Sequence, residues 1–222
     1  MQPKKQNSKP KLKRVLTVAN IHNQKVNRIP FTGDFYEAFG KPQNRGVWFL
    51  YGGSGSGKST KAMMLAKELS KHYKTLYDLL EEETDDADFI ERTELVKMQD
   101  VKNNFHAQQY TLKELDRYLE SHPTTRAVII DSAPYIFKTW DEYYNFKKKW
   151  AHKKIIVIVG HAEGKNPRTE LQKSIKYDAK MKIFVSGYLA ICQGRTIGPN
   201  GGKFIIYEEG YNKLRGTDAH KE

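Results

Sequence analysis

The stretch Gly52-Gly53-Ser54-Gly55-Ser56-Gly57-Lys58-Ser59 reads G-x-x-x-x-G-K-S and lies between an apolar run and an amphipathic one. It constrains the fold more than any other segment. A glycine-rich turn of this form lets successive backbone N–H groups face polyphosphate oxygens, provided a strand enters it and a helix leaves it. Residues 47–51 (VWFLY) have the composition of a buried strand. Residues 58–73 carry Ala62, Leu65, Ala66, Leu69 and Tyr73 at helical spacing. A flexible Gly/Ser linker would not be flanked in this way. Residues 52–60, Thr60 included, are therefore the expected cradle of a nucleotide. Lys58 would reach the β- and γ-phosphates, and the Ser59 hydroxyl would ligate Mg²⁺.

The rest of the chain alternates between strand and helix. Strands are expected at residues 74–80, 104–108, 126–130, 154–159, 180–192 and 203–208, with Gly187 as a turn or bulge. A short helix is expected at 86–92. Thr111 with Glu114, and Thr139 with Glu142, are capping boxes that open two more helices, the second running to about Trp150. Alternating βα units predict an α/β three-layer fold: a mainly parallel central sheet with helices on both faces, and terminal strands that can be antiparallel. At 222 residues one nucleotide-binding domain is expected over 46–216. A basic tail (1–14) and an arm (15–45) precede it, and a short tail (217–222) follows.

The formal net charge is +12, and residues 1–14 carry six bases and no acid. Tail and body are thus both basic, which favours a polyanionic partner, with DNA the expected one. The longest strongly apolar run, 155–159, is far too short to cross a bilayer. No secretory signal is expected, and the single cysteine, Cys192, allows no intrachain disulfide. These features predict a cytoplasmic protein with no membrane partner.

A phosphate loop needs an acid for Mg²⁺. Residues 127–131 (AVIID) form an apolar strand ending in Asp131, the Walker B pattern. Hydrolysis also needs a group to orient water. The residue after Asp131 is Ser132, so the common Asp-Glu arrangement is absent. Strand 74–80 runs into Glu81-Glu82-Glu83, and parallel strands deliver their C-terminal ends to the ligand edge. Glu81 is the favoured catalytic carboxylate, with Glu82 second. Strand 155–159 ends in Gly160-His161, which places His161 at the same edge to sense the γ-phosphate. Residues 162–177 read as a mobile polar loop able to contact DNA.

Together, residues 52–59, Glu81, Asp131-Ser132 and His161 resemble the RecA/RadA ATPase core. Leu76-Tyr77 through Glu81-Glu82 looks like RadA's LYVSGEE element, and 157–161 (VIVGH) looks like its LVGH element. The resemblance spans roughly 45–210. It implies an ATPase using ATP and Mg²⁺, with Lys58, Glu81 and His161 catalytic and with ATP sites shared between subunits of a homo-oligomer. It also implies a basic residue supplied across the interface, for which Arg195 in Gln193-Gly194-Arg195 is the candidate. Phe35-Tyr36-Glu37-Ala38 matches the short F-x-x-A segment that RadA-type proteins insert into a neighbour, but two fixed positions make a poor pattern and an arm helix packing on its own core is favoured over it. In size the chain is similar to the single-domain RecA-like ATPases of phages and mobile elements, which implies DNA recombination, annealing or replication, with single-stranded DNA as partner. The competing expectation is a small-molecule or nucleotide kinase, with residues 165–176 as its lid. A GTPase would need Asn-Lys-x-Asp, and residues 212–215 end in Arg instead.

Overall fold

The alternation closes into a helix–sheet–helix sandwich. The structure, a computed structural model, describes residues 12–218. Residues 1–11 and 219–222, most of the two expected tails, lie outside the described residues. The elements run α1 (Val18–His22), α2 (Gly33–Phe39), β1 (Gly46–Gly52), α3 (Lys58–Ser70), β2 (Lys74–Leu79), α4 (Ala87–Leu95), β3 (Phe105–Gln108) and α5 (Leu112–Ser121). They continue with β4 (Thr125–Asp131), α6 (Ala133–Ile136), α7 (Trp140–Trp150), β5 (Ile155–Glu163), β6 (Asn166–Pro167), α8 (Glu170–Asp178), β7 (Met181–Ser186), β8 (Leu189–Gly194), β9 (Lys203–Ile205) and α9 (Glu208–Asp218). The sheet order is β3-β2-β4-β5-β1-β7-β8-β9, with β6 hanging off β5. From β3 to β7 every neighbour is parallel, while β8 and β9 return antiparallel.

The core explains the strand composition. Along β1, Val47, Phe49 and Tyr51 join one apolar cluster, and Trp48 and Leu50 join the other. Both faces are covered, so every position of the strand is buried and apolarity is continuous rather than alternating. Phe39 of α2, Leu65 and Leu69 of α3 and Phe89 of α4 cover one face. Leu115 of α5, Tyr143 and Trp150 of α7 and Ile175 of α8 cover the other. Each such side chain contributes about 1.5–3 kcal/mol by leaving water. Both capping boxes form. The Thr111 and Thr139 hydroxyls accept from the N–H groups of Glu114 and Glu142, whose carboxylates accept in return.

Two segments differ from expectation, and two others take a definite form. Residues 162–177 are not a mobile loop. Strand β5 continues to Glu163, turns through Gly164 at φ +59°, pairs with β6 and leads into α8. The missed signal is Thr169, whose hydroxyl caps α8 by accepting from Gln172 N–H, followed by Leu171 and the fully buried Ile175 at helical spacing. The strand expected over 203–208 stops at Ile205, because Glu208 and Glu209 open α9, where the helix dipole favours acids. The run 180–192 is a hairpin turning through Gly187 (φ +53°) and Tyr188 (φ +58°). Finally, Ile29, Phe31, Ala38 and Phe39 are part of the core. Phe35 packs on this chain's own Phe204, 4.9 Å between ring centroids.

Candidate active site

The register brings the chemistry to one edge. Gly52 pairs with His161 across β1 and β5, and Leu79 pairs with Asp131 across β2 and β4. The phosphate loop, Glu81, Asp131 and His161 therefore all arrive at the C-terminal ends of parallel strands, where α/β sheets bind ligands.

The loop is shaped by backbone that only glycine adopts freely. Gly55 and Gly57 have φ of +67° and +90°, and Gly57 caps α3. A Cβ on Gly57 would stand 2.9 Å from the Tyr188 ring, and one on Gly52 would stand 2.4 Å from the Val185 carbonyl. The Ser56 hydroxyl donates to Gly53 O at 2.8 Å, and Tyr188 N–H donates to Ser56 O at 3.1 Å. The β7–β8 hairpin thus braces the loop. The first bond into α3 runs from Lys61 N–H to Gly57 O at 2.9 Å. The N–H groups of Lys58, Ser59 and Thr60 precede it and have no partner within the helix, which makes this helix end an anion site.

Beside the loop is a polar chain. The Ser132 hydroxyl donates to Glu81 Oε1. His161 Nε2 lies 2.8 Å from the same oxygen and 3.2 Å from Ser132 Oγ, while Nδ1 lies 3.4 Å from Lys58 Nζ. A carboxylate at Nε2 and an ammonium at Nδ1 select one neutral tautomer: Nε2–H donates to Glu81, and Nδ1 accepts from Lys58. His161 is held from behind, its N–H donating to the buried Gln172 Oε1 at 2.9 Å. Gln172 lies in the stretch that a kinase would use as a lid. Here that stretch is β6 and α8, and it supports the sheet. Glu82 is engaged elsewhere, both of its oxygens taking Arg92 N–H groups at 2.8 Å.

Asp131 is 7 % exposed and accepts from the Tyr77 hydroxyl at Oδ2, 2.6 Å away. Burial pushes its carboxyl above the usual range, and the Glu81 charge adds to this. The Tyr77 hydrogen bond and the Lys58 charge act the other way. Burial, then Asp131, hold the Tyr77 phenol well above its ordinary value, so it stays a donor. The donor set suits a hard dication: a carboxylate with a second oxygen to offer, the Ser59 hydroxyl, and phosphate oxygens. Tyr77 could not be anticipated from the sequence, since within β2 it reads as one more buried strand residue.

Arg195 is not brought to this edge. It follows β8, whose last residue Gly194 pairs with Met181 at the start of β7. It lines a cleft with Arg45 and Lys180 at the opposite edge of the sheet.

The fold is that of RecA-like P-loop NTPases, a mostly parallel nine-stranded sheet with helices on both faces. Residues 48–132 match the sequence profile of a family described as RNA helicase. Solved structures share the fold at low identity. The flagellar accessory protein FlaH from Methanocaldococcus jannaschii is 18 % identical with a TM-score of 0.56, over 80 % of this chain and 91 % of that one. A KaiC-like protein from Pyrococcus horikoshii OT3 is 17 % identical with a TM-score of 0.59, over 83 % and 100 %. An ATP synthase subunit, NeqB from Nanoarcheaum equitans, is 11 % identical with a TM-score of 0.52, over 73 % and 53 %. Among curated proteins none matches the sequence. No helix among the described residues is long and apolar enough to cross a membrane.

Proposed function

We propose that this chain is a RecA-like ATPase that binds MgATP at residues 52–60, hydrolyses it and acts on DNA in recombination, annealing or replication. The observation that carries the reading is the Glu81–His161–Lys58 chain beside an intact phosphate loop. Glu81 orients the attacking water and accepts its proton. The water oxygen bonds to the γ-phosphorus as the bond to the bridging oxygen breaks and ADP leaves. Lys58 supports the charge that develops on the phosphate oxygens. Bound Mg²⁺, held by Asp131 and Ser59, would supply further charge neutralisation. His161 touches both Lys58 and Glu81, so a γ-phosphate that draws Lys58 away changes what His161 can hold; this is its sensing role.

Arg195 faces away from its own chain's loop, so its proposed role is in a neighbour's site within a homo-oligomer. The net charge of +12 supports DNA as partner. Kinship with the RecA-like proteins of phages and mobile elements, and a place in the cytoplasm, belong to the same reading. ATP turnover by the full chain, followed with and without single-stranded DNA, tests the reading. Transfer of the γ-phosphate to a nucleoside or nucleotide in place of water would replace it with the kinase. Arg195→Ala should lower turnover of the assembled form alone; unchanged assembled activity removes the in-trans role.

A further inference from the structure

The edge opposite the phosphate loop carries a basic residue at the end of every strand from β2 to β8. In spatial order these are Lys74 on β2, Arg126 on β4, Lys153 before β5, Arg45 before β1, Lys180 before β7 and Arg195 after β8. Five inter-strand steps of about 4.8 Å make this a row roughly 24 Å long. All but the half-buried Arg126 are exposed.

The row is electrostatically uncompensated. Among the described residues none of the six forms an ion pair. Nearby acids are already committed: Asp116 and Glu120 to Lys149, and Asp178 to Lys147. Arg45 donates to the His152 carbonyl at 3.1 Å and Lys180 to Gln43 Oε1 at 3.3 Å, both neutral acceptors. Burial, then the charges of Arg45 and Arg195, lower the Lys180 pKa. Burial, then Arg126 and Lys153, bring buried Lys154 down to about 8. Like charges held together with no counter-charge are a standing site for a polyanion.

We propose that this row, from Lys74 to Lys180, binds the phosphate backbone of single-stranded DNA on the side of the sheet away from ATP, with Arg195 at its end left to the neighbour's ATP site. A row one residue wide fits one backbone better than it fits a membrane plane, and the large apolar ring beside it, Trp150, is buried rather than available to insert. Strands β1 and β5 then each join the two ligands directly, from Arg45 to Gly52 and from Lys153 to His161. The inference rests on DNA being the partner.

The test is binding of a fluorescent single-stranded oligothymidylate to the full chain at several salt concentrations. The variant combines Arg45→Glu, Lys74→Glu and Lys153→Glu, and its comparator combines Lys165→Glu and Arg168→Glu at the ATP side. The edge variant should lose about tenfold or more in affinity, and its log–log salt slope should be shallower by about two, the loss of three phosphate contacts on a single strand. ATP affinity should hold in both, which shows the fold intact. Wild-type affinity and slope in the edge variant overturn the inference, as does a loss confined to the comparator. Preference for duplex, or binding to phosphatidylserine vesicles in place of the oligonucleotide, overturns it too. Wild-type protein that binds no DNA at low salt sinks the DNA reading itself. Binding by wild type that the edge variant leaves intact sinks only the placement.

Discussion

At the C-terminal ends of β2, β4 and β5 the sheet presents Glu81, Asp131 and His161, together with the phosphate loop after β1. At the other ends of the same strands it presents Lys74, Arg126, Lys153 and Arg45. A parallel sheet makes its two edges inequivalent. Helices begin at the first edge, and their free N–H groups favour phosphate. Carboxylates there can hold a cation and a water without repelling the nucleotide outright. Helices end at the second edge, and lysines near helix C-termini complement the dipole, as Lys147, Lys148 and Lys149 do at the end of α7. Arg45, Lys180 and Arg195 adjoin strands instead, so the helix dipole does not account for them. One edge thus gathers acids and tightly specified hydrogen bonds. The other is built from charge alone.

The sharpest break in this contrast comes from Glu81→Gln. It should lower ATP turnover on the order of 10²–10⁴-fold with ATP affinity retained, because a positioned base contributes that much. Glu82→Gln, which loses only an Arg92 contact, should stay near wild type. Steady-state turnover and nucleotide titration of the two variants separate the roles. Lys58→Ala should cost about 10²–10³-fold in turnover and weaken nucleotide binding as well. Tyr77→Phe leaves the fold's apolar contacts but removes the donor to Asp131; Mg²⁺ dependence should shift to about 10–100-fold higher concentration. A magnesium titration of the initial rate reads it.

Between the edges lies Asp78 on β2, and its effect is on stability. It accepts Tyr110 N–H at 2.8 Å through Oδ1, while Oδ2 is buried without a partner among the described residues. Burial raises its pKa to about 7 from an ordinary 3.8. The folded state therefore holds a proton that the unfolded chain releases. This contribution is full below the unfolded value and is lost as pH rises through 7. Asp78→Asn should flatten the wild-type decline in denaturation midpoint between pH 4 and pH 7. An unchanged slope contradicts the assignment. The smallest effect expected at the ATP edge is from the reversal of Arg45, Lys74 and Lys153, which should leave DNA-free turnover unaltered.

Much of the phosphate-loop edge was legible because glycine-rich turns, strand ends and capping boxes have local signatures. Gly52 to Ser59, the Asp131 strand end and both Thr-x-x-Glu caps depend on neighbours in sequence. What was not legible depends on neighbours in space. Tyr77 meets Asp131 only because β2 and β4 pair in one register. Gln172 supports His161 only because α8 folds back on β5. Glu82 meets Arg92, ten residues on, only because α4 folds back beside it. The hydrophobic spacing in α8 was present but masked by its polar neighbours. The basic row was invisible as a pattern, since its six members lie between residues 45 and 195 and align only when the strand order is known.

The most direct test of the central claim is the initial rate of ATP hydrolysis by the full chain in Mg²⁺, with and without single-stranded DNA, alongside Glu81→Gln. Turnover that rises with DNA and collapses in Glu81→Gln, while that variant still binds ATP, is the predicted result. Turnover indifferent to DNA, or carried at wild-type rate by Glu81→Gln, would contradict it.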